Sequence, residues 1–453
     1  MSHAASGTNR LLPRSARVLL LVLMPVAAFA AEAPARFTGS PSCATSMCHG
    51  GAGELRHQTT VWQKQDIHSR TYNTLVNARS AQIAAALKIP DATTSSRCTT
   101  CHAPFHDVPK SAFLAEITKP AEGVSCESCH GPAEQWIRSH TRPDFSHRDR
   151  VLAGLRDLKH LYVRANSCVA CHQTVEPALL AAGHPELVFE LDGQAVSQPK
   201  HWREKGDWHG PKAWLVGQAV ALREMSAQIN REKTPGEKLI APWAGALWLL
   251  QKLDGLDSAL PALKSAANAT QAHPAADTLA RRAAEMEWSH DLTRQALQRL
   301  AQTHAEFADA KTPSLQHARR AERLVLALDR LTAPLDKAAL AKLEPDLKEL
   351  FENAAFAMFD IAADLEGLKG GSIEKFDLKA ATPEELLVAW LDELLYRFYT
   401  RQMIFFRFAI KELTDNALKA EADADVDGLT IVSVAAGKEK AGKVNLLEFI
   451  PRS

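Results

Sequence analysis

All eight cysteines of the chain lie between Cys43 and Cys171, in four pairs, and a histidine follows the second member of every pair. Three pairs read C-x-x-C-H: Cys98-Thr-Thr-Cys101-His102, Cys126-Glu-Ser-Cys129-His130 and Cys168-Val-Ala-Cys171-His172. The fourth is longer, Cys43-Ala-Thr-Ser-Met-Cys48-His49. Two thiols a short loop apart can each add to one vinyl group of a single porphyrin. The adjacent histidine then lies beneath the iron as its proximal base. The spacing therefore predicts four covalently bound haems c, with His49, His102, His130 and His172 as proximal ligands. The first motif, with two extra residues between its thiols, is the least regular of the four.

Two other uses of paired cysteines explain less. Disulfides are common in exported chains with an even cysteine count, but they do not require a histidine after every second cysteine. Zinc would take two C-x-x-C units per ion and would not fix the histidine at that place.

The sixth iron ligand is constrained by composition. Between Cys43 and His209 the only methionine is Met47, inside the first attachment loop, so histidine-methionine ligation is not expected. Beyond the proximal four, this region holds His57, His68, His106, His140, His147, His160, His184, His201 and His209. Two imidazoles set a lower potential than an imidazole and a thioether. Of the nine, His68 in Asp66-Ile-His68, His140 in Trp136-Ile-Arg-Ser-His140 and His184 between Gly183 and Pro185 are the expected distal ligands. Glycine and proline flanks fix the backbone at His184. His201 and His209, each beside a tryptophan, stand in reserve.

The N-terminus reads as an export signal. Arg10, Arg14 and Arg17 form a basic region, Val18 to Ala30 is apolar, and Ala28-Phe29-Ala30 supplies small residues for cleavage. The apolar run is short for a membrane span, and an uncleaved anchor is the competing reading. Residues 1–30 are thus expected to be a signal peptide, leaving a periplasmic protein without a transmembrane span. Lys plus Arg and Asp plus Glu balance at 53 each, which gives no whole-chain reason to expect nucleic acid as a partner.

The four attachment motifs, with the phrases SCATSMCHG, DIHSRTY, GVSCESCHGPAEQW and GHPELVFELD, resemble multihaem cytochromes of the cytochrome c554 and c-prime type over about residues 40 to 215. The resemblance implies a mostly helical, haem-packed fold with little ordinary apolar core and closely stacked haem pairs. It carries the proximal role to His49, His102, His130 and His172, and the distal role to His68, His140 and His184. It also implies an alternative in which the second haem, on Cys98 and Cys101, lacks a distal ligand. An open iron there could bind nitric oxide or another small molecule. Some relatives carry a further C-x-x-C-H downstream; this chain has none.

Past Lys212 the patterns are helical. Trp214 to Ile229 and Trp243 to Leu253 space apolar residues as helices do, with a break at Pro235-Gly236. His273-Pro274 opens a long pattern through Ala310, and Thr312-Pro313 starts another. His273, His290, His304 and His317 are scattered on these helices without cysteines and are not expected to ligate. Further on, Asp346 to Phe359 reads as an amphipathic helix, Glu374 to Lys379 as a strand, Thr382 to Tyr396 as a capped helix and Phe405 to Leu413 as a strand.

Residues 345 to about 428 resemble archease, a small helper of an RNA-splicing ligase. That family's opening His-Thr-Ala-Asp strand and closing Lys-Ala-x-Thr-Tyr-His strand have no counterpart, and Val426 to Ser453 matches nothing in it. Its metal-dependent function is therefore not carried over.

The expected architecture is mainly α, with a tetrahaem cytochrome c domain at 37–215 and a helical domain at 216–343. A degenerate archease-like α+β module follows at 344–453. The expected function is electron transfer between periplasmic or membrane-bound redox proteins through mainly bis-histidine haems. The alternative is a small nitrogen or sulfur oxide reductase working at one five-coordinate haem, and an RNA-processing role through the C-terminal module is a third reading.

Overall fold

The computed structural model describes residues 34–54, 56–114, 122–203, 209–303, 306–307, 314–333, 335, 352, 355, 372–381, 383–401, 403–414 and 417–425. The export signal, Trp208, His304, Thr312-Pro313 and, apart from Glu352 and Ala355, the expected helix at 346–359 lie outside these residues.

Up to residue 203 the helices are short. They are α1 (Gln58–Lys64), α2 (Ala78–Ala86), α3 (Ser96–His102), α4 (Cys126–His130), α5 (His147–Leu152), α6 (Leu161–His172), α7 (Pro177–Ala181) and α8 (Leu191–Ser197), with a 3-10 stretch over Ile67–Val76. Local chemistry starts several of them. Asn77 caps α2, Glu190 caps α8, and Ser146 with Asp149 forms a reciprocal capping box on α5. Apolar burial within this region is sparse. Leu75, Ala84 and Ala92 form one small cluster, and Ile83, Val175 and Leu179 form another. Helices of five to twelve residues with so little apolar contact are marginal alone.

The second part has the ordinary core. Helix α9 (Gly210–Arg231) is apolar on nearly every side: Ala213, Trp214, Leu215, Val216, Ala219, Val220, Ala221 and Leu222 are all buried. A helix of that kind belongs at the centre of a bundle. Around it pack α10 (Glu237–Lys252), α11 (Ala269–Glu285) and α13 (Ser314–Thr332), and also α6 and α8 from the first part. Helix α12 (His290–Ala301) lies against α13. Close approach decides one position: a Cβ on Gly217 would stand 2.8 Å from Leu191 Cβ, so α8 meets α9 where only glycine leaves room. Helix α9 runs without a break across residues 215 and 216, where the expected domain boundary falls.

The long pattern expected from His273 to Ala310 is two helices. Helix α11 begins earlier, at Ala269, because the Asn268 side chain caps it by accepting from Gln271 N. It ends at Glu285, and Ser289 caps α12 afresh. Pro274 is accommodated inside α11, within its first two turns.

Near the C-terminus, strands β1 (Ser372–Lys379), β2 (Ile404–Leu413) and β3 (Ala417–Asp425) form an antiparallel sheet in the order β1-β3-β2. Phe376 pairs with Ala420, and Ala420 in turn pairs with Ile410. Helix α14 (Pro383–Arg401) covers one face, with Trp390 edge-on to Phe376 at 4.8 Å. Strand β3 is not among the strands expected from the sequence, because its alanines and acidic residues lack the β-branched signature of a strand. The buried residues Leu386, Trp390, Leu394, Phe405 and Ala420 belong to the same continuous core that reaches back through α13 and α9 to Ala165. The chain is mainly α with one small α+β module.

Candidate haem-binding site

The motif residues sit where their spacing demands. On α3, on α4 and in the last turn of α6, cysteines three apart share one helix face, and the histidine follows the second cysteine as the final residue of the helix. The longer first motif cannot use that register. It runs as turns after a 3-10 turn at Ser40–Ser42, closed by His49 N donating to Cys43 O at 3.1 Å.

Each motif histidine faces one histidine from elsewhere in the chain. His49 stacks on His140 with ring centroids 6.1 Å apart. His102 faces His184 at 6.4 Å, His130 faces His201 at 6.5 Å and His172 faces His68 at 5.9 Å. A metal–imidazole bond is about 2 Å, so two imidazoles on opposite sides of one metal have centroids roughly 6 Å apart. The four pairs therefore fit four bis-imidazole irons, one per cysteine pair.

Among the described residues the second ring nitrogen has a partner in six of the eight. Nδ1 of His49 lies 3.0 Å from Gln58 Oε1, and Nδ1 of His102 lies 2.8 Å from Thr74 Oγ1. His140 donates to Ile137 O at 2.6 Å, His184 to Pro185 O at 2.8 Å and His201 to Pro199 O at 3.4 Å. His68 Nδ1 is 2.7 Å from Asp66 Oδ1. Such bonds fix the tautomer and leave Nε2 for a metal. His147 and His160 instead use Nε2, on Asp157 at 3.0 Å and Glu285 at 2.7 Å, which removes the ligating atom. His57 and His106 face none of the motif histidines, and His209 is exposed.

Burial also favours the neutral imidazole that a metal needs. It pushes His130 down to about 4, and it lowers His102, His172 and His201 from the ordinary histidine value. Burial raises Cys168 to about 12 and also raises Cys129. Two thiol contacts link different motifs: a hydrogen bond from Cys171 pulls Cys101 down to about 7, and Cys43 is lowered by its contact with Cys126. The first motif thus lies against the third, and the second against the fourth.

Two carboxylates organise this region. Asp66, 2% exposed, caps the 3-10 stretch by accepting from His68 N at 3.0 Å and is held from its other side by Gln198 Nε2 at 3.0 Å. Burial would raise it, but the hydrogen bonds from His68 and Gln198 outweigh that and bring it to about 2. Glu127, inside the third motif and 2% exposed, accepts from Gly39 N at 2.7 Å, Ala133 N at 2.8 Å and Thr38 N at 2.9 Å. It ties the segment at 37–39 to the motif. Gly123, at φ +64, passes so close to the His68 turn that a Cβ would meet His68 O at 2.5 Å.

Three of the four histidines facing the motifs are the expected distal set. The fourth is His201, one of the two reserves, and its signal is the local pair Pro199 and Trp202, the latter edge-on to its ring at 5.2 Å. Among the described residues no three His, Cys, Asp or Glu side chains converge as a bare metal ion would require. A haem iron needs only two protein ligands. No described helix is long and apolar enough to cross a membrane.

Residues 42–131, which hold the first three motifs, match the family model described as Cytochrome c554 and c-prime. This stretch is similar to c-type cytochromes; the fourth motif lies beyond it. Residues 339–435 match the Archease protein family. That match reaches past 428, which corrects the expectation that nothing from Val426 onward resembles the family. Protein archease of Methanosarcina acetivorans is 37% identical over 83 residues, covering 17% of this chain and 57% of the relative. That of Methanosarcina mazei is 39% identical over 69 residues, covering 15% and 47%, and that of Methanothermobacter thermautotrophicus 33% over 94 residues, covering 21% and 60%. The chain spans about half the length of the curated relatives it matches. No solved structure matches the chain.

Proposed function

We propose that this protein is a periplasmic tetrahaem cytochrome c that passes electrons between redox partners. The observation that carries the reading is the facing of every motif histidine by one other histidine. Cys43 and Cys48, Cys98 and Cys101, Cys126 and Cys129, and Cys168 and Cys171 would each hold one haem through thioether bonds. His49, His102, His130 and His172 would ligate from one side, and His140, His184, His201 and His68 from the other, in that order. When bound, the haems supply one-electron chemistry between ferric and ferrous iron.

The chain's own residues account for the rest. Paired imidazoles favour low potentials. Nδ1 partners hold six of the eight rings in one orientation, so little reorganisation accompanies a change of charge there. The contacts of Cys43 with Cys126 and of Cys101 with Cys171 bring attachment points of different haems together, as a chain of electron-transfer sites requires. The partners would be other periplasmic redox proteins or a membrane-bound quinol-oxidising system.

The reductase alternative needs an open iron at the second haem. The His184 ring, 6.4 Å from His102 and oriented by Pro185 O, speaks against one. The C-terminal module keeps a sheet and covering helix that pack into the core of the chain, which supports a structural role rather than RNA processing. Exposing the reduced protein to carbon monoxide tests the reading. The absorption spectrum is expected not to change; an adduct on one haem in four would favour the reductase.

A further inference from the structure

Four haems with identical axial ligands would share one potential unless their surroundings differ. The Nδ1 partners supply one difference. His49 has a neutral amide, His102 a hydroxyl and a peptide carbonyl, and His140, His184 and His201 have peptide carbonyls. Among the described residues His68 alone of these has a carboxylate, that of Asp66 at 2.7 Å. Asp66 is buried, anchored by His68 N at 3.0 Å and Gln198 Nε2 at 3.0 Å, so the charge sits at a fixed place with little water to screen it. A carboxylate on the far nitrogen makes an imidazole a stronger donor, and a stronger donor stabilises ferric over ferrous iron. Glu127, a second buried carboxylate inside a motif, spends its described bonds on backbone N–H groups and the Thr38 hydroxyl rather than on an imidazole.

We infer that Asp66, acting through His68, gives the haem on Cys168 and Cys171 the lowest potential of the four. The inference rests on the tetrahaem reading above. Asp66 is a positioning residue: it fixes the His68 ring and sets its basicity. The device makes the fourth site the last of the four to accept an electron and the first to give one up, and so gives the set of sites a direction.

The test is a spectroelectrochemical titration of the mature protein and its Asp66→Asn variant, with haem content measured first. Four haems and an upward shift of the lowest-potential component, larger than that of any other, are expected. Four haems with unchanged potentials, or a shift confined to a higher component, would overturn the role of Asp66 and leave the tetrahaem reading standing. Fewer than three haems in the unaltered protein would overturn that reading and this inference with it. Gln198→Leu approaches the same carboxylate from its far side without touching a ligand, and it stands in if Asp66→Asn does not mature. Freed of its second donor, Asp66 binds His68 more strongly, and the lowest component moves down. No movement there would count against the inference.

Discussion

The His201 ring faces that of His130 at 6.5 Å, with Trp202 edge-on behind it at 5.2 Å. This pair completes the set of four, and its consequence is specific. His201→Ala should convert one haem in four to a high-spin, carbon-monoxide-binding form and leave the other three low-spin. Magnetic circular dichroism and the carbon monoxide difference spectrum read both. His209→Ala, at an exposed neighbouring position, should change neither.

Glu127 binds three backbone N–H groups from two segments, Thr38 and Gly39 on one side and Ala133 on the other. Glu127→Gln turns one acceptor into a donor that opposes those N–H groups. Leaving buried donors unsatisfied costs about 1–3 kcal/mol. The expected outcome is a lower unfolding midpoint and faster proteolysis near residues 34–40, with haem content retained.

Asp277 joins helix α6, which carries the fourth cysteine motif, to the bundle. Its Oδ1 accepts from Tyr162 at 2.6 Å and Arg223 at 2.7 Å, and its Oδ2 from Arg281 at 2.8 Å. Burial would raise this carboxyl, but those bonds hold it well below the usual carboxylate range. A group depressed in the folded state stabilises above its unfolded value of about 3.9 and loses that contribution as pH falls through and below it. Asp277→Asn should therefore cost about 1–3 kcal/mol at neutral pH. The gap between variant and unaltered protein should close below about pH 4, as followed by denaturant melts across pH.

Gly217 on α9 leaves room for Leu191 at the start of α8; a Cβ there would stand 2.8 Å from Leu191 Cβ and 2.9 Å from its backbone N. Gly217→Ala forces that junction apart and should destabilise by about 1–3 kcal/mol, the usual range for overpacking. Denaturant titration at neutral pH checks it.

Much of this arrangement is legible in the sequence, and the limit has a physical form. The cysteine motifs are local, so the shared helix face of Cys98 to His102 or Cys168 to His172 can be read from spacing alone. Strand β1 and helix α14 are legible from alternation and capping for the same reason. The partner of each motif histidine is a tertiary fact: His172 meets His68, and no local pattern links residues so far apart. The choice of His201 over His209 also turns on exposure, which the sequence does not carry. Strand β3 escapes a sequence reading because its place in the middle of the sheet, between β1 and β2, offsets a poor strand composition.

The most direct test is the haem-to-polypeptide ratio of the mature protein, from a pyridine haemochromogen assay beside amino-acid analysis, made in a host with a working cytochrome c maturation system. The account predicts four haems per chain, all retained after acid-acetone extraction because they are covalently bound. Colourless protein, or haem that leaves with the solvent, would contradict it.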